Sequence, residues 1–131
     1  MRAILVSALC LALGACAGFN PWASAPSAYV VFFDGHSTAL AAAGKDIVAH
    51  AAATARLKPG VMVQIAGPST KIAPGYNPRF AQPRIDAVTA ELVADGVAVG
   101  RIVQTSITTD KVKVDASGAQ RVEIRIVEPG A

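Results

Sequence analysis

The chain contains 131 residues and carries a net charge of +3, from twelve Lys and Arg against nine Asp and Glu. This length accommodates one domain at most. The cations are scattered singly along the sequence, which argues against a dedicated nucleic-acid-binding surface, where they usually cluster.

The N-terminal residues have the pattern of a secretory signal. Arg2 precedes an uncharged apolar stretch over residues 3–13. This stretch is shorter than the ~20 residues that a membrane-spanning helix needs, and it is typical of a signal-peptide core. The next residues, "LGAC", resemble a bacterial lipobox, where lipoprotein signal peptidase cuts before a lipid-modified cysteine. We predict a signal peptide over residues 1–15 and lipidation at Cys16, with an ordinary signal peptide and a chance cysteine as the alternative.

The predicted anchor has consequences for the mature chain. Ala17 follows the cysteine, and this resembles the pattern sorted to the outer membrane, so we expect attachment to outer-membrane lipid with the domain facing the periplasm. Several acyl chains would hold it firmly. Residues 16–28 are small, uncharged and Pro-containing, as in a short flexible tether. With Cys10 removed and Cys16 acylated, the folded part has no thiol for a disulfide, a zinc site or a nucleophile.

Hydrophobic patterning over residues 29–128 predicts one domain of alternating strands and helices. The predicted elements are a strand over residues 29–33, a helix over 38–57, a strand over 61–67, a helix over about 80–95, and strands over 101–107 and 121–127. The order β-α-β-α-β-β indicates an α+β sandwich in which two helices cover one mixed four-stranded sheet.

Three local signals refine this assignment. Pro83 suits a first helical turn, so the second helix should begin near residue 81 or 82. Residues 116–118, "ASG", are predicted to form a turn before the last strand. In that strand, Val122, Ile124 and Ile126 alternate with polar residues, as in a sheet with one face in water.

Enzyme signatures are missing from the sequence. His36 and His50 have no second histidine or carboxylate at a metal-ligand spacing, and there is no nucleophile elbow or phosphate-binding glycine loop. His36 lies near Asp34 and Ser37, and this group is interpreted as a solvated turn cluster. We therefore expect no catalytic site, no metal and no cofactor.

The segment between the second strand and the second helix is basic and stiff. It reads "AGPSTKIAPGYNPRFAQPRIDAV" over residues 66–88. The spacing of its Gly, Tyr-Asn, Arg and Val residues resembles the motif of the OmpA-like peptidoglycan-binding domain. The opening Phe33-Asp34 and the closing "QRVEIRI" (residues 120–126) resemble the two ends of the same family's domain, so the likeness extends over residues 29–127.

The resemblance implies a ligand and a set of site residues. In OmpA-like domains a motif aspartate takes the ammonium group of diaminopimelate in the peptidoglycan stem, and a motif arginine takes a carboxylate. Arg84 matches that arginine, and a guanidinium suits a carboxylate because both are planar and bidentate. Asn77 is suited to capping the helix or ordering the loop. The candidate ligand-binding residues are thus Arg84, Asn77, Thr70 and Tyr76.

The chain departs from the family motif at the aspartate. Ser69-Thr70 stands where the family has Thr-Asp, and Lys71 follows directly. Losing a charge-assisted hydrogen bond of about 1.5–3 kcal/mol weakens binding roughly 10- to 150-fold. Asp110 or Asp115 could replace the missing acid. Alternatively, Arg84 is a surface arginine whose stem packs on Tyr76.

Two functions follow from these observations. The first is a lipid-anchored, non-catalytic protein that tethers or weakly binds peptidoglycan in the periplasm. The second keeps the fold without the ligand, as a structural subunit that contacts partner proteins of a cell-envelope complex through the altered loop.

Overall fold

The computed structural model describes residues 27–108 and 114–128. These residues form the elements β1 (Ala28–Phe32), α1 (Ala42–Leu57), β2 (Met62–Pro68), α2 (Ala81–Ala94), β3 (Ile102–Ile107), α3 (Ala116–Ala119) and β4 (Arg121–Val127). The predicted α+β class and the order of the six main elements are confirmed. The signal peptide, Cys16, most of the tether and Asp110 lie outside the described residues.

The four strands form one mixed sheet in the order β1-β4-β2-β3. Strand β2 runs parallel to β3, whereas β4 runs antiparallel to both β1 and β2. The carboxyl ends of β1, β2 and β3 therefore meet at one end of the sheet, where β4 begins. The loops after β1 and β2 and the segment before β4 are brought together at this end.

Helices α1 and α2 cover one face of the sheet and bury its apolar side chains. The principal core residues are Val31, Val48, Val63, Ile65, Val88, Leu92, Val122, Ile124 and Ile126. Full burial of one such side chain contributes about 1.5–3 kcal/mol. The predicted alternation of β4 is confirmed, because Val122, Ile124 and Ile126 are buried.

Close packing of α2 on β2 depends on a glycine. A Cβ atom at Gly67 would lie 3.2 Å from the side chain of Ile85, which is closer than most real contacts. The absence of a side chain at Gly67 lets α2 approach the strand. The first turn of α2 is therefore held directly above the carboxyl end of β2.

Helix α2 begins at Ala81, as the position of Pro83 predicted. A single 3₁₀ turn, Pro78–Phe80, precedes it, and the side chain of Asn77 caps that turn by accepting a hydrogen bond from the Arg79 N–H at 3.0 Å. Near the end of α2, Val93 is 44% exposed. Leu92 fills the core at that turn of the helix.

Helix α1 begins at Ala42, four residues later than the pattern predicted. The Ser37 carbonyl accepts a hydrogen bond from the Arg84 side chain, and the Ser37 hydroxyl accepts one from the Ala39 N–H. These contacts hold the segment before the helix in a non-helical conformation. The turn predicted at residues 116–118 is instead the start of the short helix α3.

Each helix within residues 27–108 and 114–128 is too short or too polar to cross a membrane.

Candidate functional site

Arg84 lies in the first turn of α2 and is 0% exposed. Its Nε donates to the Ser37 carbonyl at 2.9 Å, and its Nη2 donates to the carbonyls of Asp34 and Gly35 at 3.1 and 3.3 Å. Its Nη1 donates to Oε1 of Gln120 at 2.6 Å. One guanidinium thus joins α2, the loop after β1 and the residue before β4. The alternative that Arg84 is a surface arginine is wrong.

Two aromatic rings complete the surroundings of the guanidinium. Its central carbon lies 5.1 Å from the ring centre of Phe33 and 5.0 Å from that of Phe80, within the range of cation–π attraction. His36 meets Phe80 edge to face, with the ring centres 6.0 Å apart. Burial lowers the pKa of Arg84, and the nearby Tyr76 partly opposes this shift. An arginine pKa starts so far above neutrality that the group stays charged.

The buried charge of Arg84 has no carboxylate partner among the described residues. None of the ion pairs within residues 27–108 and 114–128 includes it. A guanidinium has five N–H groups, and four hydrogen bonds are formed, so one Nη1 hydrogen is left. Buried charges are usually paired because desolvation is costly. The charge of Arg84 is therefore balanced by neutral acceptors alone among the described residues.

Tyr76 is also buried, at 2% exposure, and its hydroxyl donates to the Pro68 carbonyl at 2.5 Å. It belongs to a small apolar cluster with Ala73 and Ala119, which joins the loop after β2 to α3. Burial raises the pKa of Tyr76, and the charges of Arg84 and Arg121 partly offset this. The phenol therefore fixes the loop after β2 against the end of the sheet.

The other two candidate ligand residues lie at the surface. Thr70 and Asn77 are exposed, and the carboxamide of Asn77 is engaged in capping the 3₁₀ turn. Of the two acids considered as replacements, Asp115 caps α3 by accepting from the Gly118 N–H at 2.7 Å. Asp110 lies outside the described residues. The structure thus brings Arg84 and Tyr76 together in the interior and leaves Thr70 and Asn77 outside it.

A pocket of about 670 Å³ opens beside the groups that hold the guanidinium; we call it the Arg84 pocket. It is lined by Phe32, Phe33, Asp34, Gly35, His36, Gly75, Ala116, Ser117, Gly118 and Gln120. Asp34 is the acidic residue of this lining and is exposed. Among the described residues, no group of three His, Cys, Asp or Glu side chains is arranged to hold a metal ion.

The sequence interpretation did not assign Asp34 and Gln120 to the site. Asp34 was placed in a solvated turn cluster, yet its carbonyl accepts from Arg84 and it lines the Arg84 pocket. Gln120 accepts from Arg84 through its side chain. Both positions fall in the stretches that resembled the two ends of an OmpA-like domain, and that was the signal available for finding them.

The fold is shared with solved OmpA-like domains. The chain is similar to the OmpA-like domain of FopA1 from Francisella tularensis, with a TM-score of 0.63 and 19% identity over 78% of this chain and 72% of that one. The expected resemblance to OmpA-like domains is confirmed for the fold.

Two further similar structures have names that refer to the cell wall. The peptidoglycan-associated lipoprotein from Burkholderia pseudomallei has a TM-score of 0.56 and 23% identity, covering 76% of this chain and 88% of that one. The cell wall anchor of the T6SS from Pseudomonas aeruginosa has a TM-score of 0.55 and 18% identity, covering 77% and 80%. Comparison with protein-family models and with curated protein sequences finds no match. Identities this low establish the fold and leave the ligand open.

Proposed function

We propose that this chain is a non-catalytic protein of the cell envelope that binds peptidoglycan weakly, with the stem peptide in the Arg84 pocket. The observation that carries the proposal is the fully buried guanidinium without an anionic partner in the described residues. A ligand carboxylate in the adjoining pocket would supply the opposite charge where the effective dielectric constant is low. The cell-wall names of similar structures support this ligand class.

Asp34 is proposed to replace the missing motif aspartate as the group that binds the ligand's ammonium. Asp34 lines the same pocket, and its carboxylate would attract an ammonium group on a ligand whose own carboxylate is drawn toward Arg84. A site with both signs of charge suits the zwitterionic end of diaminopimelate. The neutral Ser69 and Thr70, at the motif position, would then make at most hydrogen bonds.

Weak binding follows from how the guanidinium is already used. Four of its five N–H groups are engaged within the protein, so it cannot offer a carboxylate the two parallel hydrogen bonds of a free arginine. Arg84 is therefore proposed to act mainly through its charge. Tyr76 and Asn77 are proposed to shape the loop beside the ligand, and Thr70 to contact the ligand at the rim.

We propose further that residues 1–15 are removed as a signal peptide and that Cys16 is acylated. Residues 16–28 would then tether the domain to the outer membrane, with the domain in the periplasm. The sequence pattern "LGAC" supports this proposal.

A second function has specific support. The occupied N–H groups of Arg84 and the neutral residues at the motif aspartate both favour a domain that has lost its ligand. Such a domain would serve as a structural subunit that contacts envelope proteins through the loop after β2.

The test measures co-sedimentation of the purified full chain with peptidoglycan sacculi at low salt. Because Arg84 is buried and substituting it would perturb folding, the informative variant is Asp34→Asn. We expect the unaltered chain to sediment with sacculi and Asp34→Asn to bind roughly 10- to 150-fold more weakly, as for loss of a charge-assisted contact.

The matched control is Asp46→Asn, an exposed position in α1 away from the pocket. It changes the net charge equally and should leave binding unaltered. No sedimentation of the unaltered chain, beside a domain with an intact motif as positive control, would rule out the peptidoglycan function and favour the structural subunit.

A further inference from the structure

A second pocket lies between α2 and the edge strand β3; we call it the Gln104 groove. Its volume is about 430 Å³, within the roughly 300–1,000 Å³ typical of small-molecule sites. Its polar side chains include Ser69, Gln82, Gln104 and Ser106, and its apolar wall includes Ala81 and Ile85. Among the described residues, no charged side chain lines the groove. An anion entering it would lose hydration without gaining a cationic partner.

The two glutamine side chains of the groove are fixed by each other and by α2. Gln82 Nε2 donates to Asp86 Oδ1 at 2.8 Å and to Gln104 Oε1 at 3.0 Å. Gln104 Nε2 donates to Asp86 Oδ1 at 3.2 Å and to Thr89 Oγ1 at 3.0 Å. These bonds orient both carboxamides and leave Oε1 of Gln82 as an acceptor. Groups already held in place lose little freedom when a ligand binds.

The strand edge adds main-chain groups to the same surface. Strand β3 is the last in the sheet and pairs only with β2 among the described strands. An edge strand presents main-chain N–H and C=O groups on its outer side. The residues from Gln104 to Ser106 belong to the groove lining, so the groove offers both donors and acceptors to a neutral polar ligand.

We propose that the Gln104 groove binds a neutral sugar that carries hydroxyl and N-acetyl groups. The carboxamides, serine hydroxyls and strand edge match the hydroxyl and amide groups of such a sugar. The apolar side chains of Ala81 and Ile85 match its C–H face and acetyl methyl. The described lining has no cationic side chain for an anion, and the nearby carboxylate of Asp86 is engaged by both glutamines, so the groove favours a neutral ligand.

This inference rests on the proposed function and extends it, because the glycan strand of peptidoglycan carries N-acetylated sugars next to the stem. The segment between β2 and α2 contributes to both pockets, since Gly75 lines the Arg84 pocket whereas Ser69 and Pro78 line the Gln104 groove. One ligand with a charged stem and a neutral glycan would therefore reach both.

The test titrates the full chain with a tetramer of N-acetylglucosamine and with peptide-free glycan strands, by calorimetry and by NMR. We expect saturable binding, with NMR shifts centred on the Gln104 groove. Gln104→Ala should weaken sugar binding about 3- to 10-fold, the range for loss of one or two neutral hydrogen bonds. Gln82→Ala provides a second variant on a different element, with the same expectation.

The control Gln64→Ala changes the same residue type on the neighbouring strand, outside the groove lining. It should bind sugar like the unaltered chain. If sacculi bind and Asp34→Asn weakens them, but neither sugar probe binds, the sugar proposal is overturned and the proposed function stands. If both glutamine variants bind the sugar as tightly as the unaltered chain, the sugar proposal is also overturned. If the chain binds the sugar but does not bind sacculi, the sugar proposal is supported and the proposed function is ruled out.

Discussion

At the scale of single residues, Arg84 joins segments that are distant in sequence. Its hydrogen bonds reach Ser37, Asp34 and Gly35 in the loop after β1 and Gln120 before β4. The groups that hold the guanidinium also form part of the pocket wall. A ligand that draws on the charge of Arg84 would therefore act on the loop that covers it, so ligand binding and order in this loop should be coupled.

Tyr76 gives the molecule a defined response to alkaline pH. Burial raises its pKa above the ordinary value of about 10. Above that pH the unfolded chain loses the phenol proton while the native state retains it, so the free energy of unfolding should fall as pH rises. We expect Tyr76→Phe to be less stable at neutral pH, by about 0.5–1.5 kcal/mol for the lost hydrogen bond to Pro68.

The measurement is urea unfolding of both proteins at pH 8 and between pH 10 and 11. The stability gap between them should narrow as pH rises, because the phenylalanine variant has no phenol to titrate at position 76. If the free energies of unfolding of the two proteins differ by the same amount at every pH in this interval, the raised pKa of Tyr76 is contradicted.

Sequence spacing identified Arg84 and Tyr76 as special positions but did not reveal their burial. The local sequence determines that Arg84 lies in the first turn of α2. Its burial, in contrast, depends on contacts with a loop that lies about 50 residues earlier in the chain. Such a contact exists only once the sheet has formed. Asn77 was easier to interpret, because capping is a local effect of an asparagine before a proline.

At the scale of secondary-structure elements, Arg101 links the end of α1 to the start of β2. It ends a 3₁₀ turn, Val99–Arg101, before β3. Its Nε donates to the Val61 carbonyl at 3.0 Å, and its Nη2 donates to the carbonyls of Ala55 and Lys58 at 2.7 and 3.0 Å. A cation at a helix C-terminus also complements the helix dipole.

Arg101→Ala should lower the free energy of unfolding by about 1–3 kcal/mol, since it leaves these carbonyls without their charged donor. Denaturant unfolding of the purified chain measures the change. The matched control is Arg56→Ala, in the exposed last turn of α1, which should change stability by no more than about 0.5 kcal/mol. If the two substitutions lower the free energy of unfolding equally, the hydrogen bonds from Arg101 to the three carbonyls do not contribute measurably to stability.

Element order was predictable because the strands alternate or are β-branched and the helices carry a regular apolar face. The beginning of α1 was not, because an alanine-rich stretch favours helix on both sides of Ala42 and carries no capping side chain there. The contact between Ser37 and Arg84 decides that boundary instead. The helix α3 was missed because a single turn, capped by Asp115, has no periodicity to detect.

At the scale of the whole molecule, the two pockets lie at the same end of the sheet. This placement follows from topology, since the loops after β1 and β2, the end of β3 and the start of β4 all meet there. The opposite end carries the α1–β2 connection and Arg101. If a lipid tethers the protein at its N-terminus, the path of residues 16–28 toward β1 would determine which way the two pockets face relative to the membrane.

The proposed anchor gives the last prediction, which concerns the location of the whole protein. Cys16→Ser removes the thiol that lipidation requires and should also block the signal-peptidase cut, so we expect the variant to lack acyl chains and to keep residues 1–15, while the unaltered chain is acylated and processed. Metabolic labelling with palmitate measures the acylation, and gel mobility with fractionation measures the processing and the location. Normal processing and soluble periplasmic release of the variant would contradict the prediction. Cys10→Ser, within the predicted signal peptide, serves as the control and should be labelled and sorted normally. Palmitate labelling of the Cys16→Ser variant, or an unaltered chain found free of the membrane, would refute the lipid anchor and leave the fold-based proposals to stand separately.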